Sequence, residues 1–395
     1  MSAYHTWHLA PVVVASQQLR VASKPGALAH GSQDIPSQML AEWVATETGP
    51  RALHLGGGTG LVSAVAAVVG GARHLWCADR SVVGAEAARR TVAANGLILG
   101  ETAHVAHAHG SAAFAEPPVV DTATIRIPTD KLAMHQLLWD AWQRLAVGGR
   151  CAVAGANDEG AKSAARALEA LAGSVRVVSQ YGGCRLVVAT KTPASDVVPP
   201  AFQSPFLDPA VMHALPVVTG HTTVSLFTRP GVFSWEHLDE ATRILLDTMV
   251  VHPGESVLDV GCGAGALGLT AVAAYGARRA LLLDADADAV RCTARAIAEG
   301  GLQAAEVRAS DIAEAAGDER FDVVLTNPPF HVGKATALDL PRQFMADAWA
   351  TLVPGGRLYL VANRTLPYER VLAEWFGTVR TVHDGRRFKV LSAIR

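Results

Sequence analysis

The stretch "SVLDVGCGAGALGLTAVAAYGARRALLLD" (residues 256–284) decides the fold. Val257 to Val260 is a short apolar run that reads as a buried strand. Gly261, Gly263 and Gly265 end it, permit a tight turn and let the backbone approach a ligand closely. "ALGLTAVAAY" follows as a helix and "ALLL" as a second buried strand. That strand ends at Asp284, 23 residues beyond Gly261. An acid in that place can take both hydroxyls of a ribose. Asp311, after the strand-like "AAEVRAS" (304–310), is placed to face an adenine edge. In an open parallel sheet, the loops at the strands' C-terminal ends share one edge, where ligands bind.

"LTNPPFHVG" (325–333) falls on the same edge. Val323, Val324 and Leu325 read as another core strand, stopped by Pro328 and Pro329, which lack an amide N–H and hold the chain extended. Their carbonyls stay free to accept hydrogen bonds. Asn327 adds a side-chain amide and Phe330 a flat face, so Asn327, Pro328, Pro329 and Phe330 form a rigid ledge of acceptors and stacking surface. An ordinary Pro-Pro turn would give the same four letters. The order strand, glycines, acid, second acid, ledge favours the ligand site. A dinucleotide enzyme is the chief rival. It is disfavoured because the spacing is GxGxG, without the later helix-packing glycine, and because hydride transfer needs no such ledge.

The pattern occurs twice. "ALHLGGGTG" (52–60) lies 205 positions before "VLDVGCGAG" (257–265), and "GARHLWCAD" (71–79) the same distance before "GARRALLLD" (276–284). With small gaps, "DTATIRIP" lies beside "DVVLTNPP" and "LAVGGR" (145–150) beside "LVPGGR" (352–357). A duplicated α/β domain is expected, each copy a mostly parallel sheet flanked by helices. The boundaries read as 1–190, a proline-rich linker at 191–216, and 217–395. The first copy departs from the pattern: His54 replaces Asp259, and "IRIPT" (125–129) stands in place of "TNPPF", although Asp79 remains. No working ligand site is expected of it. It is either a folding partner or an RNA-orienting module.

A length of 395 residues suits two domains, and half the residues are hydrophobic, enough for two cores. A net charge of −2 gives no whole-chain sign of a nucleic-acid or membrane binder. The stretch 331–395 differs, with ten Lys or Arg against five Asp or Glu. The five cysteines are scattered without metal-ligand spacing, which suits a reducing cytoplasm and no structural metal. "MSAYHTWHLAPVVVASQQLR" lacks the basic start and apolar run of a signal peptide, and no stretch approaches a membrane span. A soluble cytoplasmic protein is expected. His104, His107 and His109 cluster without an acid or Cys to complete a ligand set, so no metal is expected there. Trp139 and Trp142 read as core residues of an amphipathic helix.

At this point the sequence resembles the class I S-adenosylmethionine-dependent methyltransferases. Within them it is similar to the RsmC/RlmG group, which methylates the exocyclic N2 of guanine in ribosomal RNA. "PGVFSWEHLDEATRILL", "VLDVGCGAG", "LTNPPFHVG" and "VANRTLPYERVLAEWFG…GRRFKV" carry the resemblance. It covers nearly all of 217–395 and, more weakly, the first half, since such proteins are tandem Rossmann-like duplications with a degenerate first copy. The resemblance implies S-adenosylmethionine as cofactor, held by Asp259, Gly261, Gly263, Gly265, Asp284 and Asp311 with Asn327. It implies that Asn327 to Phe330 hold the target base. Phe233, Ser234 and Asp239 match the "FS…D" segment that closes over the site.

Guanine N2 is a poor nucleophile because its lone pair is delocalised into the ring. Asn327 Oδ1 and the Pro328 carbonyl are candidates to hold its N–H bonds and free that pair, with Phe330 stacking on the base. In-line displacement at a sulfonium methyl needs no metal and no covalent enzyme intermediate. Lys334, Arg387 and Lys389, with Arg364, Arg370 and Arg386, are candidate phosphate contacts. The expected partner is ribosomal RNA within a subunit or its assembly intermediate, and the expected state a monomer. The small-subunit 16S rRNA is the leading substrate. A 23S rRNA guanine, adenine N6 in nucleic acid, or glutamine N5 in protein would use the same ledge. A non-catalytic RNA-binding assembly factor is the alternative outside enzymology.

Overall fold

The computed structural model describes residues 3–28, 30, 33–114, 119–193, 198–329 and 339–395. Contacts divide the chain into two units, residues 1–211 and 212–395. The first holds the hairpin β1 (His8–Val14) and β2 (Gln17–Ser23), then α1 (Ile35–Glu47), β3 (Arg51–Leu55), α2 (Leu61–Val68), β4 (His74–Asp79), α3 (Val82–Ala94) and β5 (Ala103–His107). It continues with β6 (Val120–Arg126), α4 (Lys131–Arg144), β7 (Leu145–Ala156), α5 (Ala161–Ala172), β8 (Arg176–Tyr181) and β9 (Cys184–Thr190). The second repeats this order. It runs through β10 (His213–Thr219), β11 (Thr222–Thr228), α6 (Glu240–Thr248), β12 (Ser256–Val260), α7 (Ala266–Tyr275), β13 (Arg279–Asp284), α8 (Ala287–Gly300) and β14 (Ala305–Ala309). Then come β15 (Phe321–Thr326), α9 (Asp339–Thr351), β16 (Leu352–Asn363), α10 (Tyr368–Leu372), β17 (Thr378–Asp384) and β18 (Phe388–Ile394).

Each unit has one seven-stranded sheet of the same topology, β5-β4-β3-β6-β7-β9-β8 in the first and β14-β13-β12-β15-β16-β18-β17 in the second. The first five strands of each are parallel, and the final hairpin is antiparallel. These are two tandem Rossmann-like domains, as a duplicated sequence predicts. The central strands lie between helices on both faces, so they read as continuous apolar runs: all five residues of β12 are buried. In the second unit the chain reverses direction of winding between β12 and β15, and the crevice opens at such a switch point. Register pairs Asp259 with Leu325, and Thr326 Oγ1 donates to the Val260 carbonyl at 2.8 Å. Gly261 and Asn327 therefore leave adjacent strands side by side.

The stretch read as a linker, 191–216, is more structured than its prolines imply. Pro200–Phe202 and Pro205–Leu207 form single helical turns, and Phe202 and Leu207 are buried with α4 in the first core. His213–Thr219 is already β10, so the boundary between the units falls at 211/212. Apolar side chains spaced among the prolines find a core to enter. Trp142 is buried in that core and Trp139 stacks on Phe202 at 5.7 Å. All five cysteines are buried and unbridged. Among the described residues, no helix is long and apolar enough to cross a membrane.

Candidate functional site

The glycine turn after β12 is held by two side chains. Gly261 and Gly263 take φ of +72° and +55°, a region open to glycine. Asp284 Oδ2 accepts from the Gly263 N–H at 2.7 Å, and its Oδ1 from the Asp286 N–H at 2.9 Å. Thr293 Oγ1 donates to the Gly263 carbonyl at 2.9 Å. Among the described residues, a Cβ on Gly263 would meet nothing within 4 Å, and one on Gly261 only the Phe344 ring, from 3.5 Å. Among the described residues the turn at Gly261 and Gly263 is otherwise uncovered. Gly265 differs: its Cβ would stand 2.9 Å from Leu269 Cδ1 and 3.1 Å from Thr293 Cγ2. Its φ of +86° and this packing at the start of α7 both favour glycine there.

Asp259 is wholly buried at the end of β12. Its Oδ2 accepts from the Gly268 N–H at 2.8 Å, while Oδ1 has no hydrogen-bond partner among the described residues. Burial pushes its titration point up to about 7, opposed by the Gly268 bond and reinforced by the Asp284 charge. Burial likewise holds the Cys262 thiol well above its usual range, so this cysteine is no thiolate nucleophile. Asp311 is buried beyond β14, where Ser310 donates its N–H to the Asp284 carbonyl at 2.9 Å. An open turn of glycines, a carboxylate pre-set by two backbone donors and an unpartnered buried acid oxygen fit a nucleoside with a charged tail.

Asn327 follows β15 and is partly exposed, with Pro328 buried and Pro329 exposed. Its Nδ2 donates to Asp239 Oδ2 at 3.1 Å and to Thr242 Oγ1 at 2.9 Å. Asp239 caps α6, accepting from the Thr242 N–H at 2.9 Å and the Thr242 hydroxyl at 3.2 Å. The resemblance implied that Asp239 meets the substrate; in the structure its carboxylate accepts from Asn327. Thr242 was missed, although its place three residues after a capping Asp marks it in retrospect.

Phe233 is 64 % exposed, and Ser234, at φ +51°, donates its hydroxyl to the His237 carbonyl at 2.7 Å. Arg387 pairs with Glu240, the neighbour of Asp239, at 2.6 Å, and so lies at the rim of the site. Lys389 is different. Only 8 % of its side chain is exposed, and both oxygens of Glu369 hold its Nζ at 2.6 and 2.7 Å. It is a structural cation rather than an exposed phosphate contact. Phe330 and Lys334 lie outside the described residues.

The first unit shows what became of the duplicate. By the 205-residue offset Asp34 matches Asp239, and Ser37 matches Thr242. Arg126, at the end of β6, stands where Asn327 follows β15. Asp34 caps α1 as Asp239 caps α6. Arg126 pairs with Asp34 at 2.9 Å and with Glu159 at 2.6 Å, all three largely buried. Its carbonyl lies 2.6 Å from where a Gly56 Cβ would stand, and Leu28 Cδ2 stands 2.8 Å from that of Gly58. His54, neutral in the core, shares a 2.8 Å hydrogen bond between Nδ1 and Thr124 Oγ1. Asp79 still accepts from the Gly58 and Ser81 N–H groups, both at 2.7 Å. The acid survives over a filled crevice. The three histidines are apart in role: His104 stacks on Trp76, His107 bonds the Arg80 carbonyl and His109 the Ala133 carbonyl.

The methyltransferase small domain matches residues 18–187 and again 223–392. The chain is 38% identical over 173 residues to the ribosomal RNA small subunit methyltransferase C of Hahella chejuensis, covering 44% of this chain and 50% of that protein. To its counterpart in Salmonella newport it is 41% identical over 173 residues, covering 43% and 49%. In these matches the chain spans about half the length of the curated relatives. Among solved structures, it is similar to the T. thermophilus 16S rRNA N2 methyltransferase RsmC in complex with AdoMet and guanosine. The TM-score is 0.80 at 29% identity, over 100% of this chain and 99% of that one.

Proposed function

The chain belongs to the methyltransferase small-domain family, whose domain it carries twice, and from that premise we propose that it methylates the exocyclic N2 of a guanine in 16S ribosomal RNA with S-adenosylmethionine. The observation that carries the reading is Asn327: its NH2 is tied to Asp239 and Thr242, so its carbonyl oxygen is the end left for a substrate, beside an open glycine turn. Similarity to a guanosine-bound relative of the same length supports it. The cofactor supplies a methyl group already activated on a sulfonium centre.

The chain's own residues do the rest. Asp284 holds ribose hydroxyls, and the turn at Gly261 and Gly263 lets the ligand lie against backbone. Asp311 faces the adenine edge. Asn327 Oδ1 and the Pro328 carbonyl accept from the guanine amine and turn its lone pair out of conjugation. Phe330 stacks on the base, a contact worth on the order of 1–3 kcal/mol. Alignment is the main contribution, because an activated methyl needs no strong base before attack. The proton shed by the product passes to Asn327 Oδ1, a carbonyl or water. The base must leave its stack, which is least costly in an exposed loop or an assembly intermediate. Arg387 and Lys334 meet the phosphates. The protein acts as a cytoplasmic monomer on the small subunit or its precursor.

The test is incubation of the full chain with tritiated cofactor and unmodified subunits, followed by nucleoside mass spectrometry. N2-methylguanosine in 16S rRNA is expected. Label in 23S rRNA, on adenine N6 or on a protein glutamine redirects the substrate, and no label in any of them sinks the enzymatic reading. Asn327→Ala should lower kcat by roughly 100-fold while calorimetric cofactor affinity is kept, since a preorganised acceptor contributes about that much.

A further inference from the structure

An asparagine amide is ambiguous about which end faces a substrate. Presented as an acceptor it can hold an amine's N–H; flipped, it offers donors to a group that needs none. What surrounds Asn327 removes the ambiguity. The Asp239 carboxylate can only accept, and it lies 3.1 Å from one end of the amide. The Thr242 hydroxyl gives its proton to Asp239 and accepts from the same amide end at 2.9 Å. Flipping the amide would set its oxygen against a carboxylate and against a hydroxyl already committed as donor. The first unit carries an independent record of the same device. There Asp34 caps its helix, accepts from the Ser37 N–H at 3.0 Å, and still reaches across to the residue after the strand, Arg126. In both copies the cap carboxylate anchors that residue by its N–H groups. Only in the second does the anchored side chain have an acceptor left over.

We propose that Asp239, acting with Thr242, is a positioning residue that fixes the flip of Asn327 so that Oδ1 faces the amine to be methylated. Asp239 does not touch the base. The proposal deepens the methyl-transfer reading and rests on it. A cap role alone would predict that any good capping residue suffices at 239, and Asn and Ser both cap well. The positioning role predicts otherwise for Ser, which is too short to hold the amide; Asn, whose one oxygen can take the three bonds that Asp239 Oδ2 accepts, should still hold it.

Full-length Asp239→Asn and Asp239→Ser are compared with wild type in single-turnover and steady-state transfer to unmodified small subunits. The expected result is a fall in kcat of about tenfold or more in Asp239→Ser, with Asp239→Asn close to wild type and with cofactor affinity by calorimetry and the melting temperature held in both. In an Asn327→Ala background, Asp239→Ser should have no further effect, because its action runs through the missing amide. Wild-type kcat in Asp239→Ser, or an equal loss with and without Asn327, overturns the proposal. The hydrogen bond is also read without turnover. The Asn327 side-chain NH2 resonances, identified by their absence from the Asn327→Ala spectrum, should shift and exchange faster in Asp239→Ser. Unchanged resonances overturn the proposal even for a wild type that moves no methyl group, an outcome that separately sinks the functional reading.

Discussion

Asp259 and His54 occupy one position in two copies of a fold, and each is buried in the charge state that water disfavours at its usual titration range. The Asp259 carboxyl titrates at about 7 in the folded chain, against 3.8 unfolded, because burial penalises the anion. The folded state therefore binds more protons between those values, and stability falls as pH rises from about 4 to about 7 and then levels. The full penalty above pH 7 is at most about 4 kcal/mol. His54 is pushed down to about 4 from 6.5, again by burial. Its neutral form is the folded form, so stability is lost as pH falls from 6.5 towards 4. Calorimetric melting without cofactor separates the two. Relative to wild type, Asp259→Asn should gain several degrees between pH 5 and pH 8, while His54→Gln should gain as pH falls from 7 to 5. Parallel wild-type and variant curves across these windows would contradict both assignments.

Between β11 and α6 the chain must run from a hairpin to the helix whose cap holds Asn327, and its anchor is a buried pair. Arg229 and Asp288 are 0 % and 1 % exposed and lie 3.4 Å apart, tying the loop's start to the first turn of α8. At the matching places the first unit has Lys24, under the Tyr4 ring at 4.2 Å, and Val83. The acid is gone and the cation leans on an aromatic face instead. Removing one partner of a buried pair leaves a desolvated charge, so Asp288→Val should cost about 3–5 kcal/mol in urea unfolding, and Arg229→Met with Asp288→Val much less. Elements of this kind were partly legible. The strands β12, β13 and β15 and the helix between the first two are written in apolar runs broken by glycine and proline. The hairpin strand β10, "HALPVVT", was hidden in a stretch whose prolines read as linker, because one edge strand tolerates Pro216. The bond from Asn327 to Asp239 crosses 88 residues and the one from Arg126 to Asp34 crosses 92. No local pattern encodes such a pairing; it follows from topology.

Over the whole molecule, duplication supplies two sheets of one topology, but among the described residues only the second unit leaves the turn at Gly261 and Gly263 unfilled. His54 and "IRIPT" marked the first copy as altered, and that much was legible. What the sequence could not convey is how the site was closed. Asp79 keeps both of its backbone donors, so a count of conserved acids would give two nucleoside sites. Packing decides against that count. The Arg126 carbonyl presses on Gly56, Leu28 covers Gly58, and the Asp34–Arg126–Glu159 pairs hold them there. In the second unit the corresponding turn meets only Phe344 among the described residues. A ligand could enter the first copy only by displacing a buried two-carboxylate clamp on one arginine, a loss of several kcal/mol. Calorimetry of the full chain with S-adenosylmethionine should therefore give one site per chain. Asp284→Ala should weaken that site at least tenfold, for want of the ribose contact proposed for it, and Asp79→Ala should leave its affinity unchanged. A stoichiometry of two, or an affinity that follows Asp79, would mean that the first crevice opens in solution and that its ion pairs are a latch rather than a seal.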